Sequence, residues 1–430
     1  MKKIILVGSL IRLLLWPWIY HGDVNATYWW GKFASEFGLR GFYDWLNFGG
    51  YGYPDQPMLN IYYNLFIRQT YLFLHNFFWF LNINIPLFPS KFMEWFFING
   101  NQYLLKIPMI IADILLIYVC YKFTKSKKIV TILAVYPPLI YNSAVWGSGD
   151  SIINLFALLA IYFFWKQKYY SSVLLYLFSI LYKPSLLIWS PIIFVILLKN
   201  KISLKKIILL IFFTYIIIYF ICHPFTPVES HPIYWFIKTM TVVILPGVMD
   251  LVTANAMNFW ALIYGLEAKV DNFLVLNLIN VRLLSILIWF SLYLHQIFKL
   301  AKYYSKKQIL LSLASVSMIT FTFMTRMHER YTYPALIPLI LLSHSNKIFF
   351  KYFLILSFTH IINVYYVWQI PSISPLIKII DTDFTVRLTS LVNILITLKL
   401  VFFSPNINTT NTKNKNPPPP KQRYLSNNFI

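Results

Sequence analysis

Acidic residues are scarce in this chain. Of its 430 residues only 14 are Asp or Glu, against 37 Lys or Arg, so the formal net charge is +23. All charged residues together make up 12%, about half of the roughly 25% that is usual in soluble domains. This composition argues against a soluble globular fold.

Cysteine is rarer still. Cys120 and Cys222 are the only two, both lie at the ends of apolar runs, and neither belongs to a CxxC pair. The sequence therefore predicts no disulfide framework and no cysteine metal site. HExxH, GxSxG, P-loop and GxGxxG motifs are also absent in a suitable context, and the His residues are scattered, so we expect neither a metal nor another cofactor.

Apolar runs, in contrast, recur along most of the chain. Hydrophobic residues make up 58% and aromatic residues 19% of the sequence, and a bilayer of ~30 Å is crossed by about 20 helical residues. We predict an all-α polytopic membrane protein in which residues 1–404 form one unit of about twelve transmembrane helices. The predicted helices are 4–20, 104–121, 129–145, 150–165, 170–182, 185–198, 207–222, 281–298, 308–324, 331–345, 349–367 and 387–403.

The basic residues lie in short clusters between the apolar runs, which is the positive-inside pattern of cytoplasmic loops and not a nucleic-acid-binding surface. Both termini then lie in the cytoplasm, and residues 405–430, rich in Pro, Asn and Thr, form a predicted disordered cytoplasmic tail. The abundance of Ile, Lys, Asn, Phe and Tyr is typical of an AT-rich bacterial genome, so we expect a plasma (inner) membrane location. The clusters are Lys122–Lys128, Lys166–Lys168, Lys199–Lys206, Lys299–Lys307 and Lys347–Lys351.

The first outer loop, at about residues 21–103, contains an apolar but polar-studded stretch at 58–81. Its Tyr, Trp and Phe content predicts helices that lie in the membrane interface. The alternative is a hairpin of two further spans. The first apolar run resembles a signal peptide, but it lacks a small-x-small cleavage site, so we interpret it as a retained helix.

Nearly all the acidic residues fall on or near the outer face, and Asp23 is the strongest catalytic candidate among them. It directly follows the first predicted helix, at the level where a lipid-borne substrate meets water. A carboxylate there can act as a general base if it stays ionised and lies within about 3 Å of the hydroxyl group. Position alone also allows a connector residue that only solvates the end of the helix.

The segment from Arg326 to Arg330 holds three potential cations between two apolar helices. Such a cluster can bind phosphate, or its charges can pair internally through Glu329. Lys183 is a further candidate for phosphate binding or for plain solvation. Within the first helix, we expect Arg12 to face the bundle and to pair with Asp113.

Several stretches then fit together in chain order. The chain resembles the GT-C superfamily of polytopic glycosyltransferases, which take a sugar from a polyprenyl-phosphate carrier; its bacterial mannosyltransferase-like members are most similar, and the dolichyl-phosphate-glucose glucosyltransferases and GPI mannosyltransferases are related. The residues that carry the resemblance are Gly22-Asp23, Trp29-Trp30, Gly52–Pro57, Lys106–Pro108, Asp113, Tyr136–Pro138, Asn142-Ser143, Trp146–Ser151, Lys183-Pro184, Asn255–Trp260 and Met327–Tyr331.

The resemblance implies an inverting transfer of a hexose, mannose or glucose, to a glycan or lipid-linked acceptor at the non-cytoplasmic face, with no metal. Asp23 would act as the general base on the acceptor hydroxyl. The donor phosphate would be held by Arg326, His328, Arg330 and Lys183, and the substrates would be contacted by Asp55, Trp146, Asp150, Asn255 and Glu329.

The chain also departs from the family pattern. Asn25 stands where the glucosyltransferases carry an acidic residue, and Ser148 follows Trp146-Gly147 where bacterial members often have Gln, so donor sugar and acceptor stay open. A transporter or flippase of a lipid-linked glycan is the alternative function, although no repeated halves or broken midplane helices are apparent. A non-catalytic membrane scaffold is the third.

Overall fold

The structure, a computed structural model, describes residues 2–44, 52–246, 249–275 and 277–403. These residues are mostly helical. The predicted tail at 405–430 lies outside the described residues. The α-helices are α1 Lys2–Leu15, α2 Gly22–Phe37, α3 Met58–Asn84, α4 Ser90–Thr124, α5 Lys127–Ala134, α6 Pro137–Ile140, α7 Asp150–Trp165, α8 Tyr169–Tyr182, α9 Ser190–Lys199, α10 Leu204–Cys222, α11 Pro232–Lys238, α12 Phe259–Tyr264, α13 Val281–Lys302, α14 Lys306–Phe323, α15 Tyr333–Ser343, α16 Lys347–Val367, α17 Ser374–Ile380 and α18 Asp383–Val401.

Shorter elements join these helices. Two short strands, β1 Leu274–Val275 and β2 Ile279–Asn280, pair in antiparallel orientation. Wide π-helical turns form Tyr141–Trp146 and Thr239–Ile244. The 3₁₀ turns are Phe42–Asp44, Pro184–Trp189 and His223–Phe225.

Five helices of the described part are long and apolar enough to cross a bilayer. They are α4, α10 with its following turn, α13, α16 and α18, and a sixth candidate is the pair Lys127–Ala134 and Pro137–Trp146, which is bent by 48°. An all-α membrane protein is therefore supported. The number of twelve crossings stays a prediction, because apolar helices such as α8 and α9 have only 14 and 10 residues.

Several predicted helix boundaries need correction, among them that of the first helix, which ends at Leu15 and not at residue 20. Helix α4 begins at Ser90 and not at 104, because Asn101 and Gln102, which interrupt the apolar run, are buried against neighbouring helices instead of ending the helix. The predicted helix at 129–145 breaks at Pro137, since a proline removes a backbone donor and clashes with the preceding turn.

The segment predicted as the first outer loop, at about residues 21–103, contains more regular structure than the sequence predicted. Residues Met58–Asn84 form one continuous helix of 27 residues, so the alternative of a two-span hairpin within 58–81 is wrong. Helix α2, which was not predicted, follows α1 after a short link and packs against α3. Asp23 is therefore in the first turn of a helix, and its interpretation as a connector at the C-terminal end of a helix is wrong.

The turns of the bundle divide between two ends. Helices α7 and α8, α13 and α14, and α15 and α16 pack as neighbours, and short connections between packed helices make them antiparallel. The turns at 166–168, 303–305 and 344–346, which contain or adjoin lysines, therefore lie at one end. The connection at Lys183 and the segment 324–332 lie at the other, which is the end that carries the candidate site.

A buried ion pair ties the first helix to the bundle below that site. Arg12 Nε lies 2.6 Å from Asp113 Oδ2, and both side chains are fully buried. Ser143 and Ser151 donate to the same carboxylate at 3.1 Å each, which satisfies its remaining oxygen lone pairs as a buried charge requires. The predicted Arg12–Asp113 pair is confirmed, and it joins α1, α4, α7 and the Tyr141–Trp146 turn.

Candidate functional site

Asp23 lies in the first turn of α2, which follows α1 after a short link. His21 caps α2, because its Nδ1 accepts a hydrogen bond from the Asp23 backbone N–H at 3.1 Å. The same Nδ1 lies 3.2 Å from Asp23 Oδ1, so a protonated imidazole could donate to the carboxylate instead. The Asp23 side chain keeps 45% of its surface exposed, and its carboxylate is therefore accessible from solvent.

Lys106 holds the link that leads to Asp23. Its fully buried side chain donates from Nζ to the carbonyl oxygens of Trp16 and Ile19 at 2.8 and 2.6 Å. These carbonyls lie in the link between α1 and α2, outside any helical hydrogen-bond pattern. The lysine thus fixes the backbone just before His21.

Trp146 forms one wall of the site. Its indole N–H donates to Asp23 Oδ2 at 3.0 Å, and its ring stacks on His21 with centroids 3.8 Å apart. The wide turn that ends at Trp146 is followed by Gly147 at φ +84°. A Cβ at Gly147 would lie 2.6 Å from Val24, so only glycine lets this turn approach α2.

Arg330 contacts the same carboxylate oxygen of Asp23 as Trp146 does. Its Nη1 lies 2.5 Å from Asp23 Oδ2, across 307 positions of sequence, and its guanidinium carbon lies 4.6 Å from the Trp146 ring centroid. Nε lies 3.3 Å from Glu329 and 4.0 Å from Asp150. Among the described residues, however, Nε makes no hydrogen bond.

Asp150 and Lys183 form a second ion pair beside Arg330. Lys183 Nζ lies 2.6 Å from Asp150 Oδ1, and Ser148 donates to Asp150 Oδ2 at 2.8 Å. Lys183 Nζ also lies 5.7 Å from the centroid of the Tyr331 ring. The lysine is therefore neutralised by a neighbour and is not a free surface charge.

Asp55 comes from an extended strap, residues 52–57, that passes the site. The strap is held by the Trp30 indole, which donates to Gly52 O at 3.1 Å, and by the Tyr43 hydroxyl, which donates to Gln56 O at 2.5 Å. Asp55 accepts one hydrogen bond, from Gln56 Nε2 at 2.9 Å. No cation of the described residues lies within ion-pair distance of it.

Burial and neighbouring charges shift the pKa values of Asp23, Asp55 and His328. All three residues lie outside the candidate membrane-spanning helices. Burial raises the pKa of Asp23, but the Arg330 charge, with His21 and Trp146, outweighs burial and holds it well below its usual range. Burial raises the pKa of Asp55. Burial likewise lowers the pKa of His328, so its imidazole is neutral at pH 7.

Arg326 does not join the predicted phosphate site in this structure. It pairs with Asp271 at 2.8 Å and with Asp250 at 2.7 Å, and it donates to Pro246 O at 2.9 Å. Asn255 lies nearer to the site than Arg326 does, since its backbone pairs with the backbone of His328. Its side chain makes no described contact with Asp23.

The structure thus brings most of the predicted residues together. Asp23, Trp146, Asp150, Lys183, Glu329 and Arg330 form one contact network, with Asp55 and His328 within electrostatic range. Sequence reasoning missed His21, which is adjacent to Asp23, and Trp368, whose ring centroid lies 5.3 Å from that of Trp146. The adjacency of His21 was a usable signal; nothing in the sequence pointed to Trp368.

Comparison of the sequence with protein-family models and with curated proteins gave no match.

Proposed function

We propose that this protein is an inverting GT-C-type glycosyltransferase. It would transfer a hexose, mannose or glucose, from a polyprenyl-phosphate carrier to a glycan or lipid-linked acceptor. The proposal places about twelve crossings in the plasma membrane, with the site at the non-cytoplasmic face. It rests on the ordered resemblance and on the geometry around Asp23.

The observation that carries the proposal is the meeting of Asp23 and Arg330 at 2.5 Å. A transfer from a phosphate carrier needs an ionised carboxylate near the acceptor hydroxyl and a fixed cation near the leaving phosphate. The two groups are in direct contact here, and the Trp146 indole contacts both of them.

The chemical step follows from these positions. The acceptor oxygen attacks the anomeric carbon as its proton passes to the Asp23 carboxylate. The bond from the anomeric carbon to the phosphate oxygen breaks on the opposite face, and polyprenyl phosphate leaves with the bonding electron pair. Arg330 and Lys183 would stabilise the departing phosphate as cations, each first sharing or exchanging its present acidic partner, and the neutral His328 imidazole would donate a hydrogen bond to it.

Contacts to the sugars fall to the remaining polar groups. Asp55, with one of its oxygens free of a hydrogen bond from the described residues, would accept from a sugar hydroxyl. Trp146, which is fully buried, would act through its hydrogen bond to Asp23. Asp150 and Glu329 would hold Lys183 and Arg330 in place, and Asn255 would act through its backbone bridge to His328.

Product analysis tests the proposal. Purified protein in nanodiscs is incubated with a panel of polyprenyl-phosphate sugars and with membrane glycolipid acceptors, and new glycosides are identified by mass spectrometry. A new glycoside with inverted anomeric configuration supports the proposal. Movement of intact lipid-linked glycan across proteoliposomes without glycoside formation would support the flippase alternative instead.

A further inference from the structure

While Asp23 and Arg330 are paired, Asp23 cannot act well as a general base and Arg330 cannot bind phosphate well. A carboxylate that pairs with a guanidinium at 2.5 Å is stabilised as an ion and is a weak proton acceptor. A guanidinium neutralised by that carboxylate has less attraction for phosphate. Either role requires the pair to separate.

Arg330 is built to change partner. Its guanidinium carbon lies 4.6 Å from the centroid of the Trp146 ring. Only Nη1 has a described side-chain hydrogen bond, and Nε has none. A guanidinium offers five N–H donors in a planar fork that suits phosphate. The side chain is 11% exposed, so the unfilled donors remain within the protein.

The other cations are held more firmly. Arg326 has two hydrogen bonds to Asp271 and a further bond to a carbonyl. Lys183 pairs at 2.6 Å with an Asp150 side chain that is itself 6% exposed. Arg330 lies 3.3 Å from Glu329 and 4.0 Å from Asp150, but its shortest contact is to Asp23, a carboxylate that is 45% exposed to solvent and that an incoming anion can displace.

We propose that the donor phosphate and Asp23 compete for Arg330, so that donor binding frees the base. This inference rests on the proposed function. After Arg330 turns to the phosphate, the groups that face Asp23 are His21 and Trp146, with Asp55 and His328 at longer range. Loss of the guanidinium charge makes the carboxylate more basic, and the acceptor then binds second, to an activated site.

A double-mutant cycle on binding tests the competition without any transfer reaction. The probe is undecaprenyl phosphate, without sugar, titrated into purified protein in nanodiscs. Because Asp23→Asn removes the competitor, we expect it to bind the probe about tenfold more tightly than wild type, and Arg330→Gln to bind it about tenfold more weakly. In the Arg330→Gln background, Asp23→Asn should change the affinity by less than about twofold.

Glu36→Gln is the matched control, because Glu36 is an outer-loop acid that pairs with Lys32 and not with Arg330. It removes the same negative charge and should leave the affinity unchanged. Asp23→Ser is used in parallel, so that poor folding of one variant does not prevent the test. Equal or weaker binding by both folded Asp23 variants would overturn the competition, as would an equal gain in Glu36→Gln.

The two proposals fail separately. If the Asp23 variants bind the probe more tightly but the wild-type protein makes no glycoside, the competition for Arg330 is supported and the transferase function is contradicted. Glycoside formation by wild type without the gain in binding would do the reverse.

Discussion

Arg326 donates two hydrogen bonds to the carboxylate of Asp271, from Nε at 2.8 Å and from Nη2 at 3.1 Å. Thr325 adds a third at 3.0 Å. This cluster fastens the loop before α13 to the segment between α14 and α15. Arg326 and Arg330, four residues apart, thus have different tasks in our account, the first structural and the second at the reacting centre.

This difference predicts that Arg326→Gln mainly lowers stability and that Arg330→Gln mainly lowers phosphate affinity. Arg326→Gln should destabilise the protein by about 3 kcal/mol, because it leaves the buried Asp271 carboxylate without its cation. At a temperature where it is folded, its affinity for undecaprenyl phosphate should stay within about threefold of wild type. Arg330→Gln should lose affinity by about tenfold.

Thermal unfolding and probe titration of the two purified variants measure these effects side by side. A large loss of phosphate affinity in well-folded Arg326→Gln would contradict the structural assignment and return Arg326 to the phosphate site.

Gly147 gives a test of the contact between the Trp146 turn and α2. Gly147→Ala must place a Cβ 2.6 Å from Val24 at φ +84°, which forces the turn away from α2 and lengthens the Trp146–Asp23 hydrogen bond. We expect a loss of about 2 kcal/mol in stability and at least about tenfold in transfer rate.

Gly22→Ala is the matched control, since a Cβ at Gly22 meets nothing within 4 Å. It should retain its thermal unfolding midpoint. Wild-type stability and rate in Gly147→Ala would show that the turn does not position Asp23.

Asp55 and Asp23 should affect stability with opposite signs as pH changes. The pKa of Asp55 is raised, so its contribution to stability is complete below the usual Asp pKa of about 4 and is lost as pH rises through the raised value. The side chain of Asp55→Asn cannot ionise. The stability of this variant relative to wild type should therefore increase as the pH is raised from about 4 to about 7.

The pKa of Asp23 is lowered, so its contribution is present above about pH 4 and is lost as pH falls through the lowered value. Asp23→Asn should therefore be less stable than wild type at neutral pH, with the deficit shrinking in acid. Unfolding midpoints of both variants and wild type across this pH range provide the measurement. If the unfolding midpoints of both variants, relative to wild type, changed in the same direction as the pH rises, the opposite pKa shifts of Asp23 and Asp55 would be contradicted.

Much of the fold follows from local pattern. Helix α7 has the predicted bounds Asp150–Trp165, because its apolar run begins with an acidic residue after a glycine and ends before Lys166. Polar residues caused the errors. Asn101 and Gln102 suggested the end of a span, but contacts between α3 and α4 bury them, and tertiary packing of this kind has no local signal.

The site shows the same limit. The sequence supplied Asp23 and Arg330 as separate candidates, and the nearness of Glu329 to Arg330 was already one of the alternatives. The pairing of Arg326 with Asp271 was not, because the partners are 55 residues apart and Asp271 lies in an irregular loop without periodicity. The ionisation of Asp55 likewise depends on burial by segments distant in sequence.

The central claim is that Asp23 lies at the reacting centre of a glycosyltransferase. The most direct test is transfer of labelled hexose from the polyprenyl-phosphate donor found active in the panel, with wild type, Asp23→Asn and Glu36→Gln at equal amounts of folded protein. The account predicts a fall of at least about 10²-fold in the transfer rate of Asp23→Asn, since general-base catalysis contributes about 10²–10⁴-fold, and an unchanged rate in Glu36→Gln. Transfer at the wild-type rate by Asp23→Asn would contradict it.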